Sequence, residues 1–284
     1  MGREMGFIEK LNRLIGLYLS VFKLFGRLSV WIPFFVYALL QFGLLLFCVS
    51  YIRPAIYPML SPIVALLGQN ADVLFSHYPG LYLMLPQVFQ WGKLLLGFIF
   101  EGLAAGMTAV LFLHFFSRGK YGEIKSSDAF KRWGQLLAVW AIITILLVLL
   151  NRYFPMAAAG FVNGSPRRVA LMEILMRLIT IGVYAMFVYA VPAVVVERTS
   201  IWRGIRLSLN YFARYPIFSF FLALLPYLLT IPVTYITSNS DVVVSKFSPE
   251  LIFYVLVAGI IIDMIMNFLL TGAVVKFLVE EGEG

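Results

Sequence analysis

Apolar residues gather into six long blocks along this chain, and charged and proline-rich stretches fall between them. The blocks cover approximately residues 28–51, 92–116, 134–150, 169–196, 215–236 and 251–275. A helix rises 1.5 Å per residue, so about 20 apolar residues cross a hydrocarbon core of about 30 Å. The third block is the shortest, and Arg152, Tyr153 and Phe154 mark its outer interface. Inside the blocks, apolar residues follow one another without the polar alternation of a membrane barrel strand. In lipid, every backbone N–H and C=O must be paired, which a helix achieves within its own segment and an open sheet cannot. The pattern therefore predicts an all-α fold, a polytopic transmembrane bundle of six spanning helices in a single integral membrane domain over residues 1–284.

The segments ahead of the first, third and fifth blocks carry a second pattern, in which apolar and basic residues share a helix at three- and four-residue spacing. In the first, 1–27, Ile8, Leu11, Ile15, Tyr18, Phe22 and Phe25 fall on one face, with Lys10, Arg13, Lys23 and Arg27 pointing elsewhere. The second, 126–135, has Ser126 or Ser127 as a cap, apolar Phe130 and Trp133, and basic Lys131 and Arg132. In the third, 200–214, Arg203, Arg206, Asn210 and Arg214 lie largely opposite Trp202, Ile205, Leu209 and Phe212. Basic amphipathic helices of this kind lie along a membrane surface. An interfacial helix followed by a spanning hairpin, used three times, is the predicted repeat.

The segment 52–91 departs from that plan. Only Arg53 and Asp72 are fully charged, and Pro54, Pro58 and Pro62 recur every fourth residue, removing backbone donors and discouraging a spanning helix. Tyr57, Phe75, Tyr78, Tyr82, Phe89 and Trp91 suit an interfacial aromatic belt. A re-entrant or interfacial insert on the outer side is expected.

Composition agrees with the pattern: 62% of residues are hydrophobic and 13% charged, and the mean hydropathy is +0.93, whereas soluble domains have about a quarter charged residues. The net charge of +8 is informative through its placement. Arg3, Lys10, Arg13, Lys23, Arg27, Arg118, Lys120, Lys125, Lys131, Arg132, Arg198, Arg203, Arg206, Arg214 and Lys276 fall on one side of the predicted membrane, fifteen in all. Arg53, Arg152, Arg167, Arg168 and Lys246 fall on the other, and only Lys93 and Arg177 lie in or at the edge of a block. That bias predicts a plasma-membrane protein with both termini cytoplasmic. Anionic lipid headgroups, not nucleic acid, are the expected partners of the basic collar, through Lys10, Arg13, Lys23, Arg27, Lys131, Arg132, Arg203, Arg206 and Arg214. Cys48 is the sole cysteine, so neither an intramolecular disulfide nor a cysteine zinc site is expected. The first 27 residues interleave basic and apolar positions, unlike a cleaved secretory signal, and the N-terminus is expected to be retained.

Ionisable residues inside the blocks are the candidates for chemistry, since each costs about 2.5–3.5 kcal/mol at a helix centre unless paired or hydrated. Counted from the inner helix ends, Glu101 lies about 24 Å deep, Asp263 about 20 Å and Arg177 about 30 Å. With Asn267 they form a candidate intramembrane polar cluster on a substrate or proton path. The plainer alternative pairs Glu173 with Arg177 on one helix and Glu101 with Lys93, leaving Asp263 without a basic neighbour at helical spacing. Gly102 and Gly106 make a small-xxx-small motif that lets another helix approach closely. Pro192, Pro226 and Pro232 are expected to kink or break the fourth and fifth helices. His77 and His114, the only histidines, lie in different segments, and neither a phosphate-binding glycine loop nor a His-Glu-x-x-His motif is present. No catalytic residue, metal or cofactor is expected.

Residues 189–198 read YAVPAVVVER, and Ile205, Arg206, Leu207, Ser208 and Leu209 follow. This resembles a signature of a broad group of uncharacterised bacterial and archaeal six-helix membrane proteins, which includes the membrane domain of some glycerophosphodiester phosphodiesterases. In that group a proline near the inner end of the fourth helix leads to an acidic residue and then to an amphipathic helix bearing a serine. The resemblance implies architecture rather than activity. Only residues 276–284 follow the last block, so no phosphodiesterase domain is expected, and no functional residue is carried over. The expected function is that of a non-enzymatic, lipid-interacting scaffold or accessory subunit beside another membrane protein. The alternative is a small-molecule or lipid transporter or permease component with intramembrane acidic residues on its path. A transporter requires a hydrated crevice at the buried charges, and a scaffold requires a packed bundle there.

Overall fold

The structure, a computed structural model, describes residues 7–51, 53, 56–65, 71–117, 125–162 and 165–282. Arg3, Pro54, Arg118 and Lys120 lie outside them, as does the side chain of Asp72. The described residues form α1 (Phe7–Phe22), α2 (Leu28–Val49), α3 (Tyr57–Ala65), α4 (Ala71–Ser76), α5 (Gly80–Phe116), α6 (Ser126–Lys131) and α7 (Trp133–Val162). There follow α8 (Pro166–Phe187), α9 (Ala190–Val196), α10 (Ile201–Arg214), α11 (Pro216–Tyr227), a 3-10 turn at Leu228–Thr230, α12 (Ile231–Ser238), α13 (Ser240–Lys246) and α14 (Leu251–Gly282). No described residue is in a strand. Six stretches are long and apolar enough to cross a membrane: Leu28–Val49, Gly80–Phe116, Trp133–Ala157, Arg167–Val196, Pro216–Ser238 and Leu251–Gly282. The chain is an all-α, multi-pass membrane protein.

Besides the third span, which continues past residue 150 to Ala157, two boundaries differ from the sequence expectation. The second spanning helix starts at Gly80, inside the expected outer insert, and its 37 residues extend about 55 Å, well beyond the hydrocarbon thickness. What remains of the insert forms α3 and α4, which pack on each other. Pro58 falls in the first turn of α3, where a missing N–H costs no intrahelical bond. The second difference is at the other end, where α14 runs on to Gly282 and so carries Glu280 and Glu281.

The contacts group the chain into two compact units: Met1–Pro33, Phe100–Tyr227 and Asn267–Gly284 form the first, and Phe34–Ile99 and Leu228–Met266 the second. In the first unit, the small-xxx-small motif brings α5 against α7. A Cβ on Gly102 would lie 3.0 Å from the Leu136 carbonyl oxygen and 3.1 Å from Trp140 Cβ, and one on Gly106 would lie 2.7 Å from Leu136 Cδ1. Gly102→Ala is accordingly expected to lower stability by about 1–2 kcal/mol, because backbone must move. Gly182 in α8 has nothing within 4 Å, and Gly182→Ala should raise stability by about 0.5–1 kcal/mol through helix propensity alone. Thermal unfolding of the two variants in detergent checks the contrast.

The surface helices are more deeply integrated than their sequence suggested. In α1, Leu14, Leu17, Tyr18 and Val21 are buried, while Ile8, Leu11, Ile15 and Phe22 of the expected apolar face, and Phe25 beyond the helix end, are exposed. The helix thus has two apolar faces, one of them packed on α11. There the Tyr18 hydroxyl donates to the Leu222 carbonyl at 2.5 Å, and burial, with a smaller contribution from Tyr189, pushes its pKa well above the usual tyrosine range. In α6 neither serine is the cap: Lys125 occupies that position, and its backbone N–H donates to the Asp128 carboxylate at 3.2 Å. That bond, followed by the Lys131 ammonium, holds the Asp128 carboxyl below its ordinary value.

The second unit has its own core, in which Leu45, Tyr51, Phe75, Leu85, Phe89 and Ile252 pack together. Phe75 and Phe89, expected in an interfacial belt, are buried there, and the Phe75 ring lies 4.5 Å from that of Tyr51. Tyr78 remains exposed.

Candidate functional site

The site begins with the proline pair of the fifth spanning stretch. Pro232 has no N–H for the carbonyl of Leu228, so the α-helical ladder cannot continue, and the chain passes through the 3-10 turn Leu228–Thr230 before α12 resumes. Thr230, Thr234, Thr237 and Ser238 then share one side of the helix at spacings of four, seven and eight residues from the first. Thr234 donates to the Thr230 carbonyl at 2.9 Å, and Thr237 donates to those of Val233 at 2.9 Å and Thr234 at 3.1 Å. Their hydroxyl protons are committed to the helix, and what they present outward is oxygen lone pairs.

These residues line a crevice of about 300 Å³ within the second unit, room for roughly ten water molecules at about 30 Å³ each. Its other polar walls are Gln90 and Lys93 of α5 and Asp263 of α14. Phe89, Leu256 and Ile260 supply apolar surface. The close approach of α12 to α14 depends on Gly259, where a Cβ would stand 3.0 Å from Val233 Cγ1. Lys93 and Asp263 form an ion pair in which the ammonium donates to the carboxylate, and their side chains are 31% and 19% exposed. Asp263, with no basic neighbour along its own helix, therefore finds one on α5. The sequence offered Lys93 to Glu101; the bond described here is to Asp263.

Glu101 and Asn267 belong to the first unit, where the Asn267 amide donates to Glu101 Oε1 at 3.3 Å. With Tyr184 and Thr271 they border a cavity of about 30 Å³, enough for a single water. Arg177 is half-buried on α8, and among the described residues neither it nor Glu173 forms an ion pair. Of the residues named for the intramembrane cluster, Asp263 thus pairs with Lys93, and Asn267 with Glu101.

Two of the expected headgroup contacts are structural. Arg13 reaches Glu280 at 3.4 Å and Glu281 at 2.8 Å, and lies 4.8 Å from the centre of the buried Phe277 ring. Arg132 donates to the carbonyls of Val194 at 3.2 Å and Thr199 at 3.1 Å, and so satisfies the end of α9. Lys131 and Arg214 are exposed despite contacts with Asp128 at 3.2 Å and Glu281 at 3.8 Å. Lys23, Arg27, Arg203 and Arg206 are exposed and Lys10 is half-buried.

The serine and proline of the YAVPAVVVER region meet at a break between α8 and α9. Pro192 has no N–H for the carbonyl of Val188, and the helix turns at Val188 and Tyr189. Ser208 of α10 fills the gap: its hydroxyl donates to the Met186 carbonyl at 2.8 Å and accepts from the Tyr189 N–H at 3.2 Å. Ser208 is fully buried, so Ser208→Ala strands a donor and an acceptor and should cost about 1–3 kcal/mol, read from thermal unfolding.

Among the described residues, no group of three or more His, Cys, Asp or Glu side chains is placed to hold a metal ion. The threonine stripe of α12 is the part of the crevice that sequence reasoning missed, although its spacing inside an apolar block was a readable signal. Comparison with protein-family models, curated proteins and solved structures returns no match.

Proposed function

We propose that this chain is a non-enzymatic plasma-membrane protein that holds a small polar molecule or a lipid headgroup in the crevice of its second unit, as a transporter or permease component does. The observation that carries this reading is the Lys93–Asp263 pair on the wall of a crevice of about 300 Å³. Charges at membrane depth are expensive and in general face a cavity or a partner. Here they do both, beside a proline-broken helix of the kind that transporters place at substrate sites. The scaffold reading expects closed packing around such charges, and the crevice weighs against it. The charge bias supports cytoplasmic termini, and exposed Lys23, Arg27, Arg203 and Arg206 suit anionic headgroups on that side. The resemblance to the six-helix group rests on the Pro192 and Ser208 region and adds architecture only.

Cysteine accessibility in native membranes tests the crevice. Cys48 is buried, so the background is low. Thr234→Cys and Thr237→Cys should react with a charged, membrane-impermeant thiol reagent, whereas Ile261→Cys, exposed on α14 but outside the crevice lining, should not. Equal labelling of all three positions, or none at 234 and 237, contradicts a hydrated crevice.

A further inference from the structure

We infer that Tyr78, Tyr82 and Tyr254 stand around the Glu250 carboxylate as an aromatic cage for a quaternary ammonium group, at the end of the second unit where α5 and α14 begin. None of the four residues lines the crevice, so this site does not depend on that reading. Tyr78 and Tyr82 are four residues apart, and their rings lie 6.2 Å from each other at 84°. Glu250 and Tyr254 are likewise one helical turn apart, joined by the bond from the Tyr254 N–H to the Glu250 carbonyl at 3.5 Å. The two segments share one core, in which Leu81 and Ile252 are buried. Across it the Tyr78 hydroxyl donates to the Glu250 carboxylate, and Tyr82 is close enough to interact electrostatically with both Glu250 and Tyr254. Tyr78 and Tyr254 are 64% and 65% exposed, and Tyr82 is half-buried, so ring surface is open to a ligand. A belt tyrosine meets headgroups singly, whereas here three rings converge on one anion.

The carboxylate and the rings together select the cation. The Ser248 hydroxyl, followed by the backbone N–H of Glu250 itself, holds the Glu250 carboxyl below its ordinary value, and the Tyr78 hydroxyl acts in the same direction. Glu250 is therefore ionised at neutral pH. A carboxylate has about four lone-pair sites, and these three donors occupy most of them. A primary ammonium carries three strongly hydrated donors, and against ring faces and a nearly saturated carboxylate it would lose water without replacing the hydrogen bonds. A trimethylammonium group has the same charge and no N–H to satisfy. Aromatic faces attract it through their quadrupole, and the adjacent carboxylate adds its field. Two sources supply this chemistry: the headgroup of a choline phospholipid, and a free soluble cation such as choline.

The test is equilibrium binding to the full-length protein in micelles of an uncharged maltoside, with choline and ethanolamine as soluble probes and phosphatidylcholine and phosphatidylethanolamine as lipid probes. Wild-type protein is expected to bind the choline member of at least one pair about tenfold more tightly than its ethanolamine counterpart. Tyr254→Leu and Glu250→Gln should each remove that preference, while Tyr254→Phe, which keeps the ring and loses only the hydroxyl, should retain it. Tyr254 is mostly exposed, so its replacement leaves the core filled, and Tyr78→Leu serves as the second ring variant if Tyr254→Leu does not fold. A preference between the lipids alone assigns a headgroup, and a preference between the soluble probes assigns a free cation, both supporting the cage. Equal affinity within both pairs, no binding of either choline compound, or a choline preference that survives loss of the ring and of the carboxylate overturns it.

Discussion

Asp263→Leu is expected to lower stability by about 3 kcal/mol, whereas Lys93→Leu/Asp263→Leu should return to within about 1 kcal/mol of the wild type. The single change leaves the Lys93 ammonium on a wall that is only partly open, its side chain 31% exposed, with its carboxylate partner gone. The double change removes both charges and leaves aliphatic side chains beside Leu256 and Ile260, which already line that wall. A paired charge held in poor solvent is often replaced by apolar residues without loss, while half a pair is not. The two single variants and the double variant form a cycle, read by reversible unfolding in micelles. Losses that simply add would mean the two side chains do not interact. A stable double variant also separates the role of the pair in ligand binding from any role in folding.

Arg13→Ala should cost about 2–3 kcal/mol, an effect far above that of an exposed surface charge. Arg13 spans Glu280 and Glu281 and lies over Phe277, while Glu281 also accepts from the Tyr215 hydroxyl at 3.1 Å. Loss of the guanidinium leaves Glu281, 13% exposed, with Tyr215 and a distant Arg214 at 3.8 Å. Arg13→Lys is expected to recover less than half of the loss. An ammonium is a point charge and cannot bridge two carboxylates while lying flat on a ring. Unfolding measurements give the energies, and faster proteolysis of α1 would show that this contact holds the N-terminal helix down. An unchanged protein would return Arg13 to the lipid-facing residues.

The fold was largely legible because its dominant physical constraint is one-dimensional. Long apolar runs force helices, and the spans at 28–51 and 169–196 agree with the structure to within a few residues. The start of α5 was not legible, since the prolines and aromatic residues of 52–91 read as a re-entrant or interfacial insert. In the structure Pro86 sits inside the helix, and Phe89 and Val88 find a core that only tertiary contacts reveal. The break in the fifth span and the close approach at Gly102 were readable, because proline and glycine act through local backbone sterics. Pairing across helices was not. Lys93 and Asp263 are 170 residues apart in the chain, and nothing in their spacing selects one another over Glu101. Arg13 looked like a lipid contact for the same reason: its acidic partners are at the opposite end of the sequence.

The claim that the second unit carries a ligand site fixed by Lys93 and Asp263 is tested most directly by native mass spectrometry. The wild type and the Lys93→Leu/Asp263→Leu variant are released gently from the membrane in which each was made. The wild type is expected to retain one defined small polar molecule or lipid per chain, and the equally folded double variant is expected to lack it. The same bound species on both proteins, or a stoichiometric partner protein and no bound molecule on the wild type, would contradict it.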